Sequence, residues 1–275
     1  MIEVNAVTSC KFRQMSFLCA CMVVMIHSTT IPPLGTFQWW VSFLIGKEGL
    51  CRIAVPSFFV MAGFFLVGHV DEVGWYGRAV KTRIQSLLIP FYIWTIFGVL
   101  FSCAIACGIR LVGYSQYNGP IAFPEFTGEW IVINLGLNPF VQIGVLWFVR
   151  ALFIFVLLSP CLLWVSRSCI MLLGCVILYA AFEVVQTTDL ALNNFFNYFI
   201  SLRGAVYFMV GMVVRRSFDN LKGAHPYCLL IGCALLVLKG VLLVLQKELA
   251  SRVCDVFMVP FLMMGIWGIW GCPWA

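Results

Sequence analysis

Charge is what this sequence has least of: only 10% of its 275 residues are Asp, Glu, Lys or Arg, and it has three histidines. Soluble globular chains are about one quarter charged, so neither a solvated enzyme domain nor a nucleic-acid-binding surface fits, and no nucleic-acid partner is expected. Metal-site spacing is missing too. There is no H-x-x-x-H or H-E-x-x-H, and none of the 13 cysteines forms a C-x-x-C. The chain also lacks a G-x-S-x-G elbow, a P-loop and a G-x-G-x-x-G loop, so no metal and no bound cofactor is expected.

What the sequence has in abundance is apolar surface: 63% hydrophobic residues, with 25 Phe and 10 Trp. A soluble fold could not bury that much, so the expectation is an all-α, polytopic helical membrane protein, one transmembrane domain over residues 1–275. Apolar runs of spanning length predict about eight crossings: 14–31, 52–68, 86–107, 144–165, 169–186, 196–214, 226–246 and 254–271. The first run lacks a small-residue cleavage pattern and is expected to stay as a signal anchor. Phe37 to Gly46, with Trp39 and Trp40, is too short to cross and is expected at the interface. The small residues around Ala62 and Gly63 would let another helix approach closely. Cysteines such as Cys19, Cys21, Cys103 and Cys161 lie in apolar runs and are expected to be small buried hydrophobes, without a disulfide framework.

The formal charge of +6 is a topology signal. Lys11, Arg13, Arg78, Lys81, Arg83, Arg167, Arg215, Arg216 and Lys222 fall at one set of ends. Only Lys47, Arg52, Arg110, Lys247 and Arg252 fall at the other. Nine basic residues against five predict a cytoplasmic N-terminus and an external connection over about 110–143.

His27, near the far end of the first run, is the one histidine within an apolar span, and intramembrane ionisable groups are functional candidates by default. Arg13 and His27 are fourteen residues apart, within about 40° of each other on a helix and about 21 Å apart along it. One face thus joins a basic end to a titratable group. The competing expectation is a histidine hydrogen-bonded between helices. Arg150 and Arg203 are isolated cations in or beside apolar runs and need a carboxylate or a ligand; Glu183 is the nearest acidic residue within a span.

Five stretches together resemble the membrane-bound acyltransferase 3 family: Met22 to Ser28, Val55 to Phe64, Arg83 to Phe91, Leu146 to Arg150, and Tyr207 to Met212. Their order and spacing over residues 13–216 carry the resemblance. Two positions depart from the family pattern. Ser16 stands where the family often has Arg eleven residues before the His, with Arg13 one turn earlier, and Ala62-Gly63-Phe64 replaces Ser-Gly-Phe. The family commonly has about ten crossings.

The resemblance implies an integral-membrane O-acyltransferase moving an acyl group, acetyl foremost, from acyl-CoA to a hydroxyl of a surface or lipid-linked carbohydrate. His27 would be general base or transient acyl carrier, and Arg13, Arg78, Arg83, Arg150 and Arg203 would hold the donor, whose phosphates need guanidinium or ammonium groups. Two rival readings stand beside it: a transporter or flippase of an anionic or lipid-linked substrate, which repeats or broken helices would support, and a catalytically inactive relative.

Overall fold

Every regular element among the described residues is a helix, as a bilayer requires of a chain that must pair its backbone groups within each segment. The computed structural model describes residues 6–28, 33, 35–46, 48–111, 128–135, 137, 146–185, 200–216 and 225–269. In chain order the helices are α1 (Ala6–Ser28), α2 (Phe37–Ile45), α3 (Ala54–Val67), α4 (Trp75–Arg83), α5 (Ile89–Leu111), α6 (Gly128–Asn134), α7 (Trp147–Leu157), α8 (Ser159–Val165), α9 (Cys169–Val185), α10 (Leu202–Arg216), α11 (His225–Val244) and α12 (Glu248–Ile269). A 3₁₀ turn, Leu50–Ile53, leads into α3, and a π turn, Ile84–Leu88, joins α4 to α5.

Four stretches among the described residues are long and apolar enough to cross a membrane: Ser9–Ser28, Phe37–Val67, Trp75–Ile109 and Pro226–Val244. The broken pair α7 and α8 would make a fifth, and Ile170–Phe182 and Val253–Gly268 are shorter apolar helical stretches. The chain is therefore an all-α polytopic membrane protein. It forms two compact units: Met1–Glu72, Cys161–Thr187 and Arg203–Ala275 in the first, Val73–Pro160 and Thr188–Leu202 in the second.

In the first unit α1 buries Phe12, Met15, Cys19 and Met22, steps of three and four that define one helical face. That face lies on α3. The Phe12 and Phe64 rings meet at 4.8 Å, tilted by 48°, Ser16 Oγ reaches Met61 Sδ at 3.6 Å, and Cys19 lies beside Ser57. Rising along α1 means falling along α3, so the two are antiparallel. The close approach expected at Gly63 is to α10, where a Cβ on Gly63 would strike the Phe208 carbonyl and a Cβ on Gly211 the Val60 carbonyl. α11 and α12 form an antiparallel hairpin with one constant register: Leu229 meets Gly265, Gly232 meets Leu262, and Lys239 meets Asp255.

In the second unit α4, the π turn and α5 run on as one helical stretch of 35 residues, Trp75–Ile109, about 52 Å long at 1.5 Å per residue. A hydrocarbon core is about 30 Å thick, so the basic first turns have length to project beyond it. Arg78, Lys81 and Arg83, expected in a loop, are thus helical. The predicted helix over 144–165 is broken between α7 and α8. Pro160 has no N–H to give the Val156 carbonyl, and Ser159 Oγ donates to that carbonyl instead, at 2.6 Å.

Other expectations shift in detail. α1 begins earlier than residue 14, and a short helix, α6, sits in the connection predicted over 110–143, most of which lies outside the described residues. Cys19, Cys51, Cys228 and Cys254 are buried as expected, whereas Cys21, Cys107, Cys161 and Cys233 are exposed on outward helix faces, and Cys10 is disulfide-bonded.

Candidate active site

α1 carries both ends of the predicted site. Arg13 and His27 are each exposed, off the face that packs on α3. His27 makes no hydrogen bond or ion pair with the described residues. The antiparallel register sets its depth: with Cys19 opposite Ser57, the end of α1 reaches the level of the turn Glu48–Arg52, and α1 does pack against Leu50–Ile53.

At that level lies a closed ring of four alternating charges. Arg52 pairs with Glu48 at 3.2 Å and with Asp255 at 2.8 Å, while Lys239 pairs with Asp255 at 2.9 Å and with Glu48 at 3.1 Å. Lys239 also donates to the Glu48 carbonyl at 2.6 Å. Lys239 and Asp255 are 1% and 3% exposed, while the Glu48 side chain is 41% exposed, so the ring runs from the interior to the surface. Nζ of Lys239 lies close to Asp255 Oδ1 but off the line of a well-directed hydrogen bond, leaving this contact mainly coulombic.

Arg203 belongs to the same layer. α10 runs parallel to α3, with Gly211 against Val60 and the Arg215 guanidinium over the Phe64 ring at 4.9 Å, which puts the start of α10 level with Arg52. Arg203 lies over Tyr179 at 5.8 Å, and buried Tyr207, one turn along, is within electrostatic reach of Arg203, Asp255 and Arg52. The side chain of Glu183, the expected counter-ion, lies outside the described residues.

A second, basic layer lies at the other end of α1. Phe64 touches Phe12 on one side and Arg215 on the other, so Arg13 and Arg215 share a level. Arg216 donates to the Ser166 carbonyl at 3.0 Å, and Lys11 lies 6.0 Å over the Trp267 ring. Arg215 and Arg216, expected in a loop, end α10, and Arg215 is buried.

The other predicted cations lie in the second unit. Tyr76 donates to the Leu157 carbonyl at 3.0 Å, and α7 packs on α4 and then on the π turn. Climbing α4 therefore means descending α7, which sets half-buried Arg83 level with buried Arg150, while Arg78 is exposed.

Sequence reasoning missed the ring. Arg52 counted as an external loop charge, and Lys239, Asp255 and Glu48 were given no role. A signal was present: Lys239 and Asp255 are of opposite sign and lie eight residues either side of Lys247, in the connection between two apolar helices. Among the described residues no group of His, Cys, Asp and Glu could hold a metal ion.

Comparison with known proteins adds the following. A family model for the acyltransferase domain of acyltransferase 3 proteins matches residues 15–275. The succinoglycan biosynthesis protein ExoH of Rhizobium meliloti is 29% identical over 173 residues, 59% of this chain and 45% of that protein. The inner membrane protein YcfT of Escherichia coli is 33% identical over 96 residues, 32% of this chain and 24% of that protein. The chain thus matches less than half the length of either relative. No solved structure matches significantly.

Proposed function

We propose, from the premise that this chain belongs to the acyltransferase 3 family, that it is a multi-pass membrane O-acyltransferase moving an acyl group, acetyl foremost, from acyl-CoA to a carbohydrate hydroxyl. The observation that carries the reading is α1 itself: exposed Arg13 and exposed His27 on one helix, about 21 Å apart, each level with a layer of charge.

The division of labour follows from chemistry. A donor with phosphates suits the basic layer of Arg13, Arg215 and Arg216 within the first unit, because guanidinium forks bind phosphate oxygens in pairs; taken by itself, the second unit offers the same chemistry at Arg83 and Arg150. His27 takes the proton from the acceptor hydroxyl as its oxygen forms a bond to the acyl carbon. The carbon–sulfur bond then breaks, and the imidazolium returns the proton to the departing thiolate. Arg203, in the His27 layer, is placed to steady the oxyanion of the tetrahedral intermediate. A carbohydrate acceptor is supported by the relative named for succinoglycan biosynthesis.

Mass spectrometry of surface and lipid-linked glycans from cells with and without the gene tests this. The expected result is the loss of one acyl mass when the gene is absent. Unchanged glycan masses with altered glycan amount or location would instead favour the transporter reading.

A further inference from the structure

The ring of Glu48, Arg52, Lys239 and Asp255 is charge-neutral and mostly buried, and by itself it is a poor source of stability. Desolvating the ions offsets much of their attraction, and apolar residues of similar volume often serve as well. Its geometry does something that apolar packing would not. Lys239 and Asp255 lie on the α11–α12 seam, at the end of the register that also joins Gly232 to Leu262. Glu48 and Arg52 belong to the tight turn between α2 and α3, where a Cβ on Gly49 would strike the Phe43 carbonyl. Lys239 donates to the Glu48 carbonyl and to the Glu48 carboxylate, and its ammonium stands 2.9 Å from Asp255 Oδ1 as an ion pair. The ring therefore pins this turn, against which α1 packs, to the α11–α12 hairpin.

We propose that Lys239 and Asp255 are positioning residues: through Glu48 and Arg52 they fix the Glu48–Ile53 turn and so the orientation of the His27 end of α1. The inference rests on the acyltransferase reading for its catalytic part alone. A base displaced by about 1 Å can cost 10²-fold in rate.

The turn carries its own reporter, Cys51, buried beside Arg52. The test uses the full-length protein in membranes, with Cys51 alkylation by N-ethylmaleimide read by peptide mass spectrometry alongside acyl-transfer kinetics. The paired variant Lys239→Met/Asp255→Leu removes both buried charges and leaves Arg52 with Glu48. It is expected to accumulate, to label faster at Cys51, and to lose about 10²-fold in kcat with the donor KM little changed. Should it fail to accumulate, Glu48→Gln replaces it; that variant keeps Lys239, Arg52 and Asp255 together, and smaller effects of the same sign are expected. Cys51 labelling at the wild-type rate overturns the positioning role whatever the activity. Faster labelling with wild-type kcat overturns its link to catalysis. Absence of acyl transfer in the wild type overturns the acyltransferase reading and leaves the labelling result to decide the ring.

Discussion

Lys239 illustrates how a single side chain ties distant segments together, reaching from α11 to α12 and to Glu48, 191 positions earlier in the chain. Lys239→Met alone would leave Asp255 buried with Arg52 as its one ion-pair partner among the described residues. The expected cost is about 3–5 kcal/mol, as for other broken buried pairs, measured as a fall in the thermal midpoint of the detergent-solubilised protein. His27 behaves oppositely. It is exposed and makes no hydrogen bond with the described residues, so His27→Ala should leave stability within about 0.5 kcal/mol of wild type, measured in the same melt. The sequence makes His27 visible because an imidazole in an apolar run is an anomaly in any single helix. It cannot make the whole ring visible that way: Lys239 stands inside an apolar run, but Glu48, Arg52 and Asp255 lie near run ends and read as ordinary edge charges until the folds of α2, α11 and α12 bring the four together.

At the scale of elements, glycine sets the spacing. Gly63 and Gly211 face each other's helix backbones, so Gly63→Val forces α3 and α10 apart. A loss of about 1–3 kcal/mol, the usual range for overpacking, should appear in that thermal midpoint. The sequence foretells that Gly63 admits a neighbour, but leaves open that α10 is the neighbour. Boundaries were legible where punctuation is strong, as at α9 and α11. They were not where a helix runs on through polar residues: the charges of Arg78, Lys81 and Arg83 suggest a loop, yet α4 is the start of a long helix. Within it, Arg83→Ala is expected to raise the apparent KM for acyl-CoA more than Arg78→Ala, because Arg83 is half-buried level with Arg150 while Arg78 faces outward. Equal changes in membrane assays would make α4 a diffuse electrostatic surface.

For the whole molecule, the ring also sharpens the charge asymmetry. Arg52 and Lys239 are balanced by Glu48 and Asp255 and carry no topological weight, while Lys11, Arg13, Arg215 and Arg216 gather at the other end. The positive-inside tendency then predicts a cytoplasmic N-terminus. An impermeant maleimide added outside should label Gln246→Cys, exposed at the α11–α12 turn, and leave Lys11→Cys untouched; the reverse pattern would invert the protein.

The central claim is that His27 moves a proton during acyl transfer, and His27→Gln tests it most directly, since glutamine retains a hydrogen-bonding group without titrating. Transfer of labelled acyl groups from acyl-CoA is measured in membranes holding equal amounts of wild-type and variant protein. The prediction is a fall of about 10²–10⁴-fold, the usual contribution of a positioned general base. Wild-type rates in the glutamine variant would contradict it.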